Sequence, residues 1–498
     1  MSQTTTRTTA LRADEVVALL PWKWRTQGAI FLIGGLGFMF DAWDVALNGF
    51  LIPLLSDEWN LSVGQAAWIA TANLIGMAVG AFVWGGVADR VGRKSAFSLT
   101  LLVFSIFTVL GAFAPNIALF CLFRFFAGFG LGGCIPVDYA LVGEFTPAKH
   151  RGRVLTAMDG WWPIGATLCA FVSAWLLGFG DWRLIMLVMV LPALLVFFVR
   201  LFIPESPMYL ISAGRYEEAD KILGDLVRRT GSDSTDWTYD GLGPAAGAAP
   251  SGGTAPSGGT APIGDAAPSG DGVPPATQRA GGQRGGLLGR LSAATGQIAE
   301  LWRFSTRTTL TAWLLFVSVL LLYYAALTWL PKILREQGLG DQAAFLVTGQ
   351  MTAIGIAGVV LCALLVEYTG RKWMLGASSV LAALAIVGFA IVLESSGAEL
   401  TAGAKFCILA FGFLIQMAIP ALYTYVSELY PTRLRGSGFG WASAASRVAT
   451  GIAPVVFGSV MWPLLGLTWT FALTGALVLV AVLVMAVTTR ETTGVELD

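Results

Sequence analysis

The chain has 498 residues, of which 55% are hydrophobic and 12% charged, against roughly a quarter charged in a soluble domain. That balance excludes an ordinary soluble protein, and the absence of a sustained apolar period of two excludes an outer-membrane barrel. The formal net charge of +0 singles out no partner, and no nucleic acid is expected.

Residues 1–27 are polar and then amphipathic (Ala18-Leu-Leu-Pro-Trp22-Lys-Trp24-Arg25). They read as a cytoplasmic tail without a secretory signal, so the first span stays as an anchor. Six apolar stretches follow, at about 28–55, 64–88, 95–114, 117–142, 153–178 and 182–203, each long enough to cross roughly 30 Å of hydrocarbon. Backbone groups in lipid must be satisfied within their own segment, which makes these stretches helices and residues 28–203 a six-helix bundle.

Residues 204–306 read as a cytoplasmic linker. It opens with Pro204-Glu-Ser-Pro207, continues as a charged amphipathic helix from Arg215 to Arg229, and runs into a Gly/Ala/Pro/Ser tract at 241–286. Within the tract Ala249-Pro-Ser-Gly-Gly-Thr is repeated at Ala255–Thr260. Such composition buries too little apolar surface to offset its ordering entropy, so disorder is expected. Six further stretches, at about 307–331, 342–366, 373–393, 403–427, 437–461 and 465–489, make a second bundle over 307–489, before a cytoplasmic tail at 490–498. The expected fold is an all-α membrane protein with twelve transmembrane helices in two six-helix bundles. The outer loops then carry Arg183, Lys332, Arg335 and Lys405, while the remaining arginines and lysines concentrate on the other side, which places both termini in the cytoplasm. Cys121, Cys134, Cys169, Cys362 and Cys407 lie in apolar spans at irregular spacing and read as small core residues, with no disulfide or metal pattern.

Two signatures occur twice. Glu144-Phe-Thr-Pro-Ala-Lys-His-Arg151-Gly152 reappears as Glu428-Leu-Tyr-Pro-Thr-Arg-Leu-Arg435-Gly436, and Gly92-Arg93-Lys94 reappears as Gly370-Arg371-Lys372. Duplicated halves are the architecture of alternating-access carriers, which hold substrate between the halves near the midplane. The loop Gly85-Gly-Val-Ala-Asp89-Arg90-Val-Gly92 has Glu367 at the Asp89 position and Tyr368 at the Arg90 position in its second copy. Read plainly, these are topology signals and surface charges. Their duplication favours a cytoplasmic gate made of Asp89, Arg90, Arg93, Glu144, Arg151, Glu367, Arg371, Glu428 and Arg435, with ion pairs that form across the closed inner side and break on opening.

Charges within spans cost about 2.5–3.5 kcal/mol each at the membrane centre, so they mark function. Asp41 and Asp44 in the first span and Arg124 in the fourth fall at similar depth at 1.5 Å per residue. An Asp–Arg pair there neutralises both groups, and its breaking and making is the form of a proton switch; a static packing pair is the other reading. The only histidine, His150, lies in a loop, so carboxylates must carry any proton relay. Arg447 sits near mid-depth of span eleven without a local acid, and a guanidinium suits bidentate recognition of a carboxylate. The alternative is that it pairs with Asp41 or Asp44 across the halves. Gln416, Tyr323, Tyr324, Trp161, Trp162, Tyr423 and Trp441 are candidates to line an apolar cleft in which an aromatic ring would stack. Asp138 and Asp159 lie nearer the inner ends and suit a gate or packing role.

The Gly/Asp-Arg/Gly-Arg-Lys loop resembles the signature of the major facilitator superfamily. Arg124-Phe-Phe-Ala-Gly128-Phe-Gly130-Leu-Gly132-Gly133, Pro204-Glu-Ser-Pro207 and the two Glu/Pro/Arg-Gly signatures look like its sugar-porter and organic-ion branches. Glu144 to Arg153 and Ser427 to Gly436 resemble the bacterial niacin-transporter group and the related synaptic-vesicle-protein-like carriers. Asp41-Ala-Trp-Asp44 looks like the Asp-Gly-x-Asp motif of aromatic-acid/proton symporters, with Ala42 in place of glycine. Arg124 matches the arginine that partners a first-span Asp in proton-coupled sugar porters, and Arg447 the arginine of animal organic-anion carriers. The resemblance implies proton-coupled uptake of a small organic anion, an aromatic carboxylate such as niacin or a benzoate-like acid, across the cytoplasmic membrane. Arg447 would hold the carboxylate, Asp41 and Asp44 the proton, and Arg124 would couple them. No cofactor is expected, the proton gradient being the energy source, and neither is any enzymatic activity; the chain should act as a monomer in the bilayer. Rival readings are a sugar or polyol symporter, an exporter of an organic metabolite, and a non-transporting scaffold. Span seven, Val317-Ser-Val-Leu-Leu-Leu-Tyr-Tyr324, lacks the polar cluster a sugar site would need.

Overall fold

The computed structural model describes residues 11–232, 237–239, 287–396 and 400–492. The tract at 241–286, where disorder was expected, lies outside the described residues. Eleven described helices are long and apolar enough to cross a membrane, and the last, Ser437–Thr488, holds two spans. Its backbone leaves the helical region at Gly466 (φ 75°), where the chain reverses. Glu394 of the ninth span accepts hydrogen bonds there from the amides of Leu467 and Thr468, both at 3.1 Å, and so caps the last span.

Spans 1 to 6 are Ala29–Glu58, Val63–Val91, Arg93–Gly111, Ile117–Phe145, Ala148–Leu177 and Arg183–Phe202. Spans 7 to 10 are Thr306–Glu336, Asp341–Thr369, Arg371–Ser395 and Ala402–Glu428; span 11 begins at Thr432 and span 12 follows Gly466. The helices outrun the apolar stretches by a few residues because polar caps lie beyond them. Ser62 and Gln65 form a capping box on span 2, and Asn116, Ser305 and Thr401 cap spans 4, 7 and 10.

Each half is knitted by helix pairs in near backbone contact. A β-carbon at Gly128 of span 4 would lie 1.9 Å from the carbonyl of Asn73 on span 2; one at Gly412 of span 10 would lie 2.2 Å from that of Met351 on span 8. Lipid offers no hydrophobic drive for helix association, so close packing through small residues carries it.

The two turns at Gly92 (φ 95°) and Gly370 (φ 90°) lie at one end of the bundle with the chain's described termini; we call this the signature end. Arg335 lies at the opposite end. Span 1 meets span 7 where Gly49 faces the carbonyls of Leu327 and Thr328; span 5 meets span 8 through Thr167 and Thr352, 3.0 Å apart; span 2 meets span 11 at Gly64 and Ser459. Arg335 adds a hydrogen bond to the Pro53 carbonyl (2.7 Å) and an ion pair with Asp57. These described contacts join the halves towards the Arg335 end. On the signature side a short helix, Ala13–Leu19, packs against the connector helix Tyr216–Thr230, and Leu11–Arg12 pairs in parallel with Trp237–Thr238.

Of the cysteines, Cys134, Cys169 and Cys362 are buried as expected of core residues, whereas Cys121 and Cys407 are half-buried.

Candidate substrate and proton site

A polar cluster seals spans 1 to 4 of the first half. Arg124 and Asp44 are both fully buried and meet as a bidentate pair, Nη1 to Oδ1 at 2.9 Å and Nη2 to Oδ2 at 2.8 Å. Arg124 also donates Nη2 to the Asp44 carbonyl (3.0 Å), Nε to Asn48 Oδ1 (3.1 Å) and Nη1 to Thr108 Oγ1 (3.3 Å). That occupies all five guanidinium N–H groups. Asp44 accepts further bonds from Thr108 (2.8 Å) and Asn73 (3.2 Å), and Asn48 links to Asn73 (3.2 Å). A buried ion pair persists only when its remaining donors and lone pairs are satisfied, and this one is. Asn48, Asn73 and Thr108 were not among the sequence candidates; their signal was a polar side chain at the depth of Asp44 in three different spans.

Asp41, one turn earlier, is treated differently. It is fully buried and neither carboxyl oxygen has a hydrogen-bond partner. The cation acting on it is Arg447 from the other half. Asp41 and Asp44, paired in the sequence reading, thus have separate environments: Asp44 is locked and Asp41 is not.

Between the halves lies a cavity walled by residues of both bundles, the place where substrate sits in a two-bundle carrier. Arg447, Gln416, Tyr323, Tyr324, Trp162 and Tyr423 line it as the sequence suggested. Phe38, Leu320, Ile419 and Pro420 add apolar wall, and Ser443, Ser446 and Thr450 add hydroxyls beside Arg447. Those three were missed although positions 443, 446, 447 and 450 share one helix face. Trp441 is not brought to the cavity: six residues from Arg447, at 3.6 residues per turn, it points roughly 120° away. Trp161 is also elsewhere, against Phe31 and Gly35. Asp159, for which a gate or packing role was expected, lies in the cavity wall and accepts a hydrogen bond from Tyr139.

Two groups in this cavity are donors without acceptors. Among the described residues the Arg447 guanidinium forms no hydrogen bond or ion pair, so it pairs with neither Asp41 nor Asp44, and the buried Gln416 Nε2 has no partner. The walls are aromatic: Trp162 donates to the Tyr323 hydroxyl across the halves (3.1 Å) and packs edge-on to Tyr324. On spans 1, 7 and 5 further contacts between the halves lie closer to the Arg335 end than the lining residues do: Gly49 beyond Phe38, Leu327 beyond Tyr324, Thr167 beyond Trp162. The cavity is covered on the Arg335 side.

The signature residues pair within each half. Arg93 bridges Asp89 (2.9 Å) and Glu144 (3.3 Å), and Glu144 accepts from Ser206. Arg371 approaches Glu428 at 3.3 Å without hydrogen-bond alignment, and Glu428 accepts from Thr492 (2.5 Å). Arg151 donates to the Thr146 carbonyl (3.3 Å), the Arg90 carbonyl accepts from Tyr209 (2.9 Å), and Glu367 is exposed. Arg435 holds Nε and Nη2 buried with no partner among the described residues. Among the described residues no ion pair of these signatures crosses between the halves; those present lie within one half.

A further duplication was not seen in the sequence. Glu205, just after span 6, accepts from the Lys94 amide (3.1 Å) at the start of span 3; Glu491, just after span 12, accepts from the Arg371 amide (2.8 Å) at the start of span 9. The next residues, Ser206 and Thr492, reach Glu144 and Glu428. The repeat Glu205-Ser206 and Glu491-Thr492 was legible only once its partners were known.

Two six-helix halves, closed at one end around a central cavity that carries a lone guanidinium, define a secondary transporter working by alternating access. The sequence profile of the Major Facilitator Superfamily matches residues 34–454 and 312–496. The chain belongs to that superfamily and is a multi-pass cell-membrane protein. It is 32% identical over 470 residues to the niacin transporter NiaP of Acinetobacter baylyi, covering 93% of this chain and 94% of that one. It is 28% identical to the gallate transporter of Pseudomonas putida (91% and 89% covered) and 28% identical to the 4-hydroxybenzoate transporter PcaK of Acinetobacter baylyi (90% and 87%). In fold it is similar to the partially occluded inward-open conformation of the xylose transporter XylE from E. coli, with a TM-score of 0.71 at 18% identity over 95% of this chain and 99% of that one.

Proposed function

We propose that this transporter takes up a small aromatic carboxylate together with protons, and that the signature end and both termini face the cytoplasm. The observation that carries the reading is Arg447: a guanidinium with no partner among the described residues, in an aromatic-walled cavity between the halves. An unpaired cation in such a place waits for an anion, and a planar fork suits a carboxylate. Gln416 Nε2 and the hydroxyls of Ser443, Ser446 and Thr450 supply further polar contacts, and Trp162, Tyr324 and Tyr423 supply ring-stacking walls. A neutral sugar would leave the guanidinium uncompensated. The named relatives carry niacin, gallate and 4-hydroxybenzoate, each an aromatic acid. The concentration of Arg90, Arg93, Lys94, Lys149, Arg151, Arg153, Arg371 and Lys372 at the signature end supports a cytoplasmic assignment for it.

Coupling follows from competition for one cation. Asp41 and the substrate carboxylate both draw on Arg447, and Asp44 cannot help because Arg124 holds it. With a proton on Asp41, Arg447 is free for the substrate; once the substrate leaves, Asp41 can release its proton and lean on Arg447 instead. Asp89, Arg93, Glu144, Arg371, Glu428 and Arg435 would form the gate when the signature ends meet. The test is uptake of labelled nicotinate, benzoate, 4-hydroxybenzoate and gallate into vesicles with and without an inward proton gradient. Gradient-dependent accumulation of one acid, lost in Arg447→Gln, is expected. Unchanged accumulation by that variant would remove Arg447 from the site, and gradient-independent uptake would remove the proton.

A further inference from the structure

Asp138 has no role in the mechanism above, yet span 4 carries it fully buried with both carboxyl oxygens unpartnered. Its Oδ2 lies 3.3 Å from where a β-carbon at Gly37 would sit, so the carboxyl rests directly on span 1 in the space a glycine leaves. Asp41 is four residues on from Gly37 and on the same helix face. Two partnerless carboxyls are therefore stacked along the seam between spans 1 and 4, about one helical turn apart.

The groups around Asp138 give it no counter-charge. From span 1 it faces Asp41; from span 3 the apolar ring of Phe97 packs into the same space at Gly37; on its own span are Cys134 and Tyr139. Tyr139 directs its hydroxyl to Asp159 of span 5, in the cavity wall. Arg447 acts on Asp41, and Arg124 is saturated by Asp44 and its cage. One available cation can compensate one carboxylate, and a second ionised carboxylate in this buried seam would cost far more than protonating it. The pair Asp41/Asp138 thus holds at least one proton between them.

We propose that Asp138 is a second proton-carrying carboxyl, which exchanges its proton with Asp41 and passes it to and from the signature-end side of the cavity. The proposal rests on the proton-coupled reading above. In the exchange an O–H bond breaks at Asp138 and one forms at Asp41, the negative charge moves from Asp41 to Asp138, and no charge is created. Neither carboxyl is hydrogen-bonded to the other here, so the transfer needs a movement of these side chains or intervening water. Gly37 is part of the device, because a β-carbon there would drive into Phe97 at 2.6 Å and crowd the Asp138 carboxyl at 3.3 Å.

Asp138→Asn is the deciding variant, since the amide matches the neutral acid in shape and cannot carry a proton. Full-length protein in lipid vesicles is assayed twice with nicotinate, benzoate, 4-hydroxybenzoate and gallate as probes. Exchange of internal for external acid should survive within about twofold, while the inside-to-outside ratio reached under an inward proton gradient should fall to about one, the value for zero coupling. Infrared spectra, which need no substrate, should show that Asp138→Asn removes a protonated-carboxyl band present in the wild type. Wild-type accumulation by the variant, loss of exchange together with accumulation, or no missing band would each overturn the proposal. If the wild type itself transports without regard to the gradient, the proton-coupled reading fails and the relay fails with it. If only the variant behaves unexpectedly, that reading stands and the relay alone is lost.

Discussion

Gly49 offers a direct handle on which side of the transporter is open. A β-carbon there would sit 2.6 Å from the Leu327 carbonyl oxygen, 3.0 Å from that of Thr328 and 3.3 Å from the Thr328 α-carbon. All three are backbone atoms of span 7, so no side-chain rotation relieves the contact and the helices must separate. Overpacking of this kind costs about 1–3 kcal/mol. The cost falls only on the conformation in which spans 1 and 7 touch at the Arg335 end. Gly49→Ala should therefore shift the population away from the structure described here by roughly 5- to 150-fold. Spin labels on the signature ends of spans 4 and 10 would report the change by pulsed dipolar spectroscopy, the signature-end distance shortening in the variant. Gly440→Ala is the control, because a β-carbon at Gly440 meets nothing within 4 Å. An unchanged distance distribution with a lowered melting temperature would refute the reasoning, since it would mean that both conformations contain the contact.

The Asp44 cage and the two capping glutamates make further predictions. Asp44→Asn leaves Arg124 buried without its counter-ion and should cost about 3–5 kcal/mol, seen as a lowered melting temperature in detergent; an unchanged value would mean that the pair is not sealed from water. Glu205→Ala and Glu491→Ala should each cost about 0.5–2 kcal/mol, by comparable amounts, with additive effects in the double variant. A large loss from one and none from the other would show that the two caps are not equivalent.

Much of this architecture could be read before any coordinates, for a physical reason. Lipid forces each apolar stretch to satisfy its own backbone, so length and composition alone locate the spans. The Asp44–Arg124 pair was legible too, because depth along a helix is a matter of counting residues. What failed to show was whatever depends on how separate spans meet. Asp41 and Asp44 look equivalent in sequence, and only the cage of Asn48, Asn73 and Thr108 separates the locked acid from the unpartnered one. Whether the gate signatures pair across or within halves depends on conformation, which one sequence shared by several states cannot specify. Trp441 was lost to rotation around its helix, and Ser443, Ser446 and Thr450 were overlooked although they share a face with Arg447. Glu491 was hidden in a tail whose partner lies more than a hundred residues away.

The pairing of Arg335 with Asp57 has a consequence for the speed of the cycle. The side chains are 28% and 64% exposed, and ion pairs so open to water contribute about 0–1 kcal/mol. At the other end Arg93 pairs with Asp89 and Glu144 inside its own half, so that trio does not tie one half to the other. In this conformation neither end is held by a buried ion pair between the halves. A machine poised in this way idles readily, and one proton and one small acid are enough to set its direction.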